Sequence, residues 1–387
     1  MAPVTPYLPG LATTFFGRAR TGAHQQFAAT RQRLQRASCC QLARMFRELL
    51  PAHALAPAAR HAHSRRRIYT MEATFWVFLA QMLSPHVSCR EAVRRVAAWY
   101  AARRQPLPSS NTAAYCMARK NLPLQRLQMI HQHVAGVCEE RTARTRWWHR
   151  HRVLVVDGTC VAMPDAPANR RTYPQPAGQK KGCGFPVVKL VALFSMASGA
   201  LLNWVEGTWR QHDAALWRAL WHVLAPGDVI VCDRGFCSFA ALAALSARGV
   251  HMVVRLHQGR TVPHFAKGRC ERVVAWRKPQ RPTGWSREEW DALSAQIDVR
   301  IVRVRVAQKG FRTRALLIAT TLLDATQYPA EAVAELYLRR WTVELYLRDI
   351  KTSMGMDVLT GRSPEMIRRE ICMFVLAYNF VRAVMQD

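Results

Sequence analysis

Two short apolar runs, each closing on an aspartate and then a glycine, constrain this chain more than any other feature. Val153–Val156 is mostly β-branched and leads into Asp157-Gly158-Thr159; Asp228–Cys232 leads into Asp233-Arg234-Gly235-Phe236. Runs of this length and composition read as buried strands. Phe185–Met196 and Ala200–Gly207 read as two more, turning at Ser198-Gly199. His212–Leu224 has helical periodicity ended by Pro226-Gly227, Ser238–Ala247 is a helix stopped by Gly249, and His251–Leu256 is a further strand. Three strands in hairpin order followed by alternating helices and strands imply a mixed α/β sheet flanked by helices. An aspartate at the end of such a strand has a rigid backbone and an open side chain, which suits a metal ligand. An aspartate there also simply starts many turns.

The rest of the chain frames this unit. Residues 257–325 carry strand-like pieces (Arg272–Arg277, Asp298–Val306, Ala315–Thr321) between Pro-, Gly- and Trp-rich turns, a β-rich insertion. A long helix is expected from about Glu331 to Met354, and a last one from Pro364 to Met385. Before Arg152 the chain reads as helices: Gln32–Leu50, Met71–Leu83, Arg90–Ala102 capped by Ser88, and one from Ser110 or Asn111 to Lys120. A linker-like Ala52–Arg67 divides the first two. The pair of helices ending at Arg119-Lys120 suits DNA docking, or else an ordinary bundle with solvated arginine faces.

Charge narrows the partner. The 56 Lys+Arg against 25 Asp+Glu leave +31 on 387 residues, half of them hydrophobic. Such an excess points to a polyanion, nucleic acid before membrane, and away from small metabolites. Residues 1–150 hold 23 basic residues and 5 acids, net +18, with no aspartate; residues 151–387 hold 33 and 20, net +13. Eleven scattered cysteines without a Cys-x-x-Cys pair fit reduced thiols. Met1–Gly10 lacks the pattern of a signal peptide, and polar residues interrupt Val187–Val205 and Ile371–Met385, so no membrane span and a cytoplasmic setting are expected.

The long helix carries a polar line. At about 100° per residue, Tyr337, Arg340, Glu344 and Lys351 project within roughly 60° of one another. Leu336, Val343, Leu347 and Met354 flank the line on one side, Trp341 and Leu345 on the other. An acid, two bases and a phenol between apolar flanks suggest a groove in which a carboxylate binds metal and the others hold phosphates. The bland alternative is an Arg340–Glu344 surface pair worth tenths of a kcal/mol.

Tyr337-x2-Arg340-x3-Glu344-x6-Lys351 resembles the YREK signature of bacterial insertion-sequence transposases with a DDE catalytic triad, the "insertion sequence four" family. Asp157-Gly158-Thr159 with Pro164-Asp165 and Asn169 resembles the family's first-Asp region. Gly227-Asp228 and Asp233-Arg234-Gly235-Phe236 resemble its second, and Arg339-Arg340-Trp341-x2-Glu344 its third. The resemblance covers most of 150–387; the first third shares only its basic, helical character. It implies an RNase H-like core (151–256 and 326–387) interrupted by the β-rich insertion (257–325) and preceded by a DNA-binding region (1–150). It implies that Asp157, Asp233 and Glu344 are catalytic and bind two divalent metals, Mg²⁺ or Mn²⁺ in its place, while Tyr337, Arg340 and Lys351 hold DNA phosphates. It also implies cleavage at terminal inverted repeats through a hairpin end, strand transfer into target DNA, and a homodimer that brings two ends together. A related nuclease that cuts without joining would lack the insertion and the helix signature. A derivative that only binds DNA would lack one of the acids.

Other residues invite less. His61/His63, His131/His133 and His149/His151 lack partners for a metal site, Asp228 precedes its strand, and Asp349 points about 140° away from Glu344. Trp276, Trp285 and Trp290 suit the core of the insertion more than base stacking. With so large a basic excess, binding to duplex ends is expected to fall steeply as salt rises from 50 to 200 mM. A salt-insensitive complex in a filter-binding titration contradicts the reading.

Overall fold

The computed structural model describes residues 16–56, 68–84, 87–142, 147–176, 178, 184–261, 264–305 and 315–386. Helices α1 (Phe16–Arg36), α2 (Cys39–Phe46), α3 (Met71–Met82), α4 (Cys89–Ala102), α5 (Ala113–Asn121) and α6 (Leu124–Arg141) come first. Then follow β1 (Val153–Ala162), α7 (Pro167–Thr172), β2 (Val187–Ser195), β3 (Leu201–Thr208), α8 (Asp213–Trp217), β4 (Val229–Cys232), α9 (Phe239–Ala247) and β5 (His251–Arg255). Next are β6 (Glu271–Arg277), α10 (Arg287–Asp291), β7 (Gln296–Arg305) and β8 (Ala315–Thr320). Helices α11 (Ala330–Arg339), α12 (Thr342–Arg348) and α13 (Pro364–Val384) end the chain.

The eight strands form one sheet in the order β3-β2-β1-β4-β5-β8-β7-β6. β1 pairs antiparallel with β2 and β2 with β3, whereas β1–β4 and β4–β5 are parallel. The 3-2-1-4-5 order with this mixture of directions is the RNase H-like arrangement. The insertion contributes β6, β7 and β8, and it is not a separate unit: β8 pairs antiparallel with β5 and so extends the central sheet. Trp276 and Trp290 are buried, and Trp285 packs against Trp221 and Trp290, so these tryptophans join the core.

Local chemistry accounts for most boundaries. Ser88, Ser238 and Ser363 cap α4, α9 and α13 through their side-chain oxygens. Ser38 splits the helix expected over Gln32–Leu50, because its capping box with Gln41 starts α2 afresh. α5 begins without a side-chain cap at Thr112, although Asn111 Oδ1 accepts from the Ala113 amide at 2.8 Å. The stretch after His212 gives the short α8 and then a 3₁₀ turn over Arg218–Val223. Two larger expectations change. β1 does not end at Asp157 but runs on to Ala162, with Asp157 paired to Ala192 of β2. The long helix is broken: Arg340 and Trp341 form tight i→i−3 turns between α11 and α12, and a π-helical turn over Asp349–Ser353 follows.

The first third of the chain shares its core with the last helix. Phe27 meets Tyr378 and Phe46 meets Phe380 with ring centroids 5.4 and 4.4 Å apart, and Trp76 also reaches Phe380. Arg119, which both readings of this helix pair place in solvent or on DNA, is buried: it lies over the Phe78 ring and donates to Gln81 Oε1 and Cys89 Sγ. Lys120 beside it is exposed. On α6, His131 is buried against β3, where its Nε2–H donates to the Leu201 carbonyl at 2.9 Å.

Burial pushes the His131 imidazole down from 6.5 to about 4, although the Leu201 carbonyl pulls the other way. The folded value lies below the unfolded one, so the unfolded chain takes up this proton first. Its contribution to stability is therefore full above about pH 6.5 and is lost as pH falls toward 4, by about 1.4 kcal/mol per unit. His131→Gln keeps a donor for Leu201 and removes the titration. Denaturant midpoints between pH 7.5 and 4.5 are expected to converge for the two proteins as pH falls; parallel curves contradict the assignment.

Candidate active site

The parallel pairing of β1 with β4 decides where the aspartates meet. Val153, Leu154 and Val155 sit opposite Val229, Ile230 and Val231, so the register offset is 76 residues. Asp157 and Asp233 are also 76 apart (233 − 157). Carried two residues beyond the last pair, the register puts both aspartates level on adjacent strands. The two-residue side-chain period also places them on one face. β4 stops at Cys232 while β1 continues, so past this point β1 loses its neighbour and the sheet opens at the carboxylates.

Each aspartate is held by a local amide. Asp157 Oδ1 accepts from the Gly158 N–H, and Asp233 Oδ1 from the Gly235 N–H, both at 2.8 Å. Asp233 thereby caps the 3₁₀ turn Arg234–Phe236. Gly158 leaves room for a neighbouring side chain: a β-carbon there would lie 2.3 Å from Asp213 Oδ2, a carboxylate ion-paired with Lys189 at 2.9 Å, so Asp213 would have to move. Asp213 and Lys189 escaped the sequence reading, because nothing in their local pattern marks them as neighbours of the Asp-Gly step.

α11 packs beside β4 and β5 and brings in the remaining candidates; α12 lies against β1. Arg340 links the first and third acids: Nη1 donates to Asp157 Oδ2 at 3.4 Å and Nη2 to Glu344 Oε1 at 3.2 Å. The guanidinium is largely buried, whereas the Glu344 side chain is 59% exposed. Burial raises the Asp157 carboxyl to about 6; the Gly158 amide and Arg340 oppose this, and Asp233 and Glu344 add to it. Tyr337 is buried beside Cys232, Asp233 and Arg255, and burial pushes its phenol up to about 12 against the pull of Arg340. Arg255, at the end of β5, is a further cation that sequence reasoning missed. Lys351 is half-buried in the π-helical turn, near enough to Cys160 to oppose the upward shift that burial gives that thiol.

The structure thus brings Asp157, Asp233, Glu344, Tyr337 and Arg340 to one end of the β1–β4 pair, with Lys351 on the following turn. The turn is fastened to β1: the Ala162 amide donates to the Asp357 carbonyl and the Leu359 amide to the Ala162 carbonyl. The spare acids lie elsewhere. Asp228 is bound by Arg152 at 2.6 Å, and Asp349 is buried between His24 and Arg382. His151 donates and accepts within a cluster with Gly227 and Tyr328, and His61 and His63 fall outside the described residues.

Three carboxylates are hard oxygen donors of the kind a divalent cation of the Mg²⁺ class takes, so the donor set fits. Among the described residues, however, no three such side chains stand close enough to hold a metal as they are. Between Asp157 and Glu344 stands the Arg340 guanidinium.

An RNase H-like sheet with level acids on its two central strands and a third acid on the covering helix defines the class of polynucleotide-cleaving enzymes. Residues 148–380 match the family model described as the transposase DDE domain, and the chain belongs to that family, in its "insertion sequence four" branch of DNA-cleaving and strand-transferring enzymes. It is 26% identical over 324 residues to the transposase InsG for insertion sequence element IS4 of Escherichia coli K12, covering 82% of this chain and 70% of that protein. A putative transposase InsZ of the same organism is 29% identical over 103 residues, 26% of this chain and 34% of that one. Among solved structures, the piggyBac transposase synaptic complex with hairpin DNA matches at 10% identity and a TM-score of 0.46, covering 88% of this chain and 72% of that one. DDE-family chemistry depends on divalent metal. Among the described residues, no helix is long and apolar enough to cross a membrane.

Proposed function

We propose that Asp157, Asp233 and Glu344 hold two divalent ions, Mg²⁺ with Mn²⁺ as a substitute, and that this site cuts and joins duplex DNA at the terminal inverted repeats of a mobile element in the cytoplasm. The observation that carries the reading is the shared offset of 76 between strand register and aspartate spacing, with Arg340 tying Asp157 to Glu344. A pair of such ions would activate the attacking oxygen and stabilise the leaving one in phosphodiester displacement.

The chain's own residues do the rest. The carboxylates fix the cutting point because β1, β4 and α12 hold their backbones rigidly. Water attacks at the element's end to free a 3′-hydroxyl, which attacks the opposite strand, expelling the flanking strand's 3′-oxygen and closing a hairpin; a second water reopens the hairpin, and the freed 3′-hydroxyl then attacks a target phosphodiester, expelling a target 3′-oxygen. Tyr337, Arg340 and Lys351 grip phosphates beside the cut, as hydroxyl and cationic donors do in general. The basic residues 1–150 grip the duplex, 257–325 supports the edge of the site, and two copies pair to hold two ends. Joining, as opposed to nuclease action alone, accords with the presence of both the insertion and the helix signature.

Asp157→Ala, Asp233→Ala and Glu344→Ala are each expected to reduce Mg²⁺-dependent cleavage of a terminal-repeat duplex to background while duplex binding in metal-free gel shifts is not lost. Arg340→Ala or Lys351→Ala is expected to weaken end binding by about tenfold, the scale of one charge-assisted hydrogen bond. Cleavage that survives all three acid substitutions refutes the assignment, and unaltered binding in the Arg340 and Lys351 variants removes both from the DNA contact and leaves Arg340 as a partner of Asp157 and Glu344 alone.

A further inference from the structure

Arg340 is held in an unsettled way. Its two bonds to the acids, at 3.4 and 3.2 Å, are long beside the ~2.7–2.9 Å usual when both partners are charged. Its Nε is buried and has no hydrogen-bond partner. The tight i→i−3 turn at Arg340 and Trp341 fixes the backbone, so movement of the guanidinium falls to the flexible side chain. Glu344, its more exposed partner, stays hydrated whether or not Arg340 is present. A docked phosphate can take Nε and one Nη together, a two-bond grip that neither acid makes here, since each takes a single Nη bond.

We propose that Arg340 is a stand-in cation that exchanges partners: without DNA it neutralises Asp157 and Glu344, and when a phosphate of the element's end docks it turns to that phosphate and frees both carboxylates for metal. The inference rests on the ligand role proposed above for these acids. One residue cannot serve both partners with the same donors, so end docking and metal binding favour each other. Reciprocity then follows: whatever factor the duplex adds to metal affinity, metal adds to duplex affinity. Arg340 acts as a positioning residue in this scheme, since its effect on the metal passes through Asp157 and Glu344.

The test measures Mn²⁺ binding to the full chain by the loss of the free-ion paramagnetic resonance signal, with and without a short duplex ending in the element's terminal repeat. The wild-type chain is expected to bind Mn²⁺ weakly alone and about tenfold more tightly with the duplex, the ordinary range of coupling between two sites. Arg340→Gln is expected to bind Mn²⁺ alone about as tightly as the wild type does with duplex, and to gain less than about twofold from adding it. Arg340→Lys, which keeps the charge but not the fork, is expected to fall between them. Thermal melts establish that the variants fold, and the wild-type comparison with and without duplex stands even if they do not. Wild-type Mn²⁺ affinity that ignores the duplex, or an Arg340→Gln chain that binds Mn²⁺ no better than wild type without DNA, overturns the exchange. Mn²⁺ binding that is unchanged in Asp157→Ala and Glu344→Ala overturns the ligand reading itself, a result distinguishable from the other two.

Discussion

The parallel contact between β1 and β4 is only three residue pairs long, yet the site depends on it. A slip of one residue would send one aspartate to the opposite face of the sheet, because the side-chain period is two. Full burial on both sides prevents the slip. Leu154, Val155, Ile230 and Val231 have no exposed surface, so any shift would exchange packed apolar side chains for Asp157 or Asp233 in the core. β2 adds a second clamp, with nine residues of β1 in antiparallel register from Leu154 to Ala162. The carboxylates therefore sit where the sheet is most rigid and β4 has just ended. The same pairing that buries the core aims the chemistry.

The covering helices reach this edge from a core that extends well beyond the RNase H-like unit. α13 is buried along most of its length, and it touches both the first third of the chain and the turn after Glu344. Asp349 on that turn is bonded to His24 of α1 at 2.5 Å and paired with Arg382 of α13 at 3.6 Å. The bond to His24 and the Arg382 guanidinium offset the cost of burying this carboxylate. The basic N-terminal region is consequently not a tethered arm. α1 is packed against the helix that presents Glu344 and against the turn that carries Lys351.

How much of this was legible depended on whether a local pattern decided the outcome. The strand runs and their aspartates were legible because burial on both faces selects Val and Ile continuously, and glycine marks the step. The helix stripe from Tyr337 to Lys351 was legible as an angle but not as a shape. The break at Arg340 and Trp341 has no proline or glycine to announce it, and the hydrogen bond from Thr342 Oγ1 to the Arg339 carbonyl that supports it is not a sequence pattern. The end of β1 was misplaced at Asp157-Gly158 because glycine usually signals a turn; here it makes room for Asp213. The burial of Arg119 is not legible because an arginine near a helix end is usually solvated, and only the packing of α3 against α5 buries it. That β8 would join β5 was equally hidden, since strand partners distant in sequence leave no local trace.

In a chain with more than twice as many basic as acidic residues, the fate of each acid is informative. Most of the buried ones are fully engaged. Asp228 takes two bonds from Arg152 and one from the Ala225 amide, and Glu370 takes bonds from Thr360 and Gly361 on both of its oxygens. Glu271 is locked to Arg300, and Glu206 binds Arg368 at 2.5 Å. Asp157, Asp233 and Glu344 differ in kind. Each aspartate keeps one short bond, to a nearby backbone amide, and Glu344 shares with Asp157 a guanidinium that reaches neither closely. A carboxylate left with free lone pairs in a structure that supplies so many arginines is not there for stability, because any neighbouring cation could have satisfied it. Unfilled coordination at the mouth of the sheet is what the proposed metal-ligand role calls for, and it separates these three from the acids that hold the fold together.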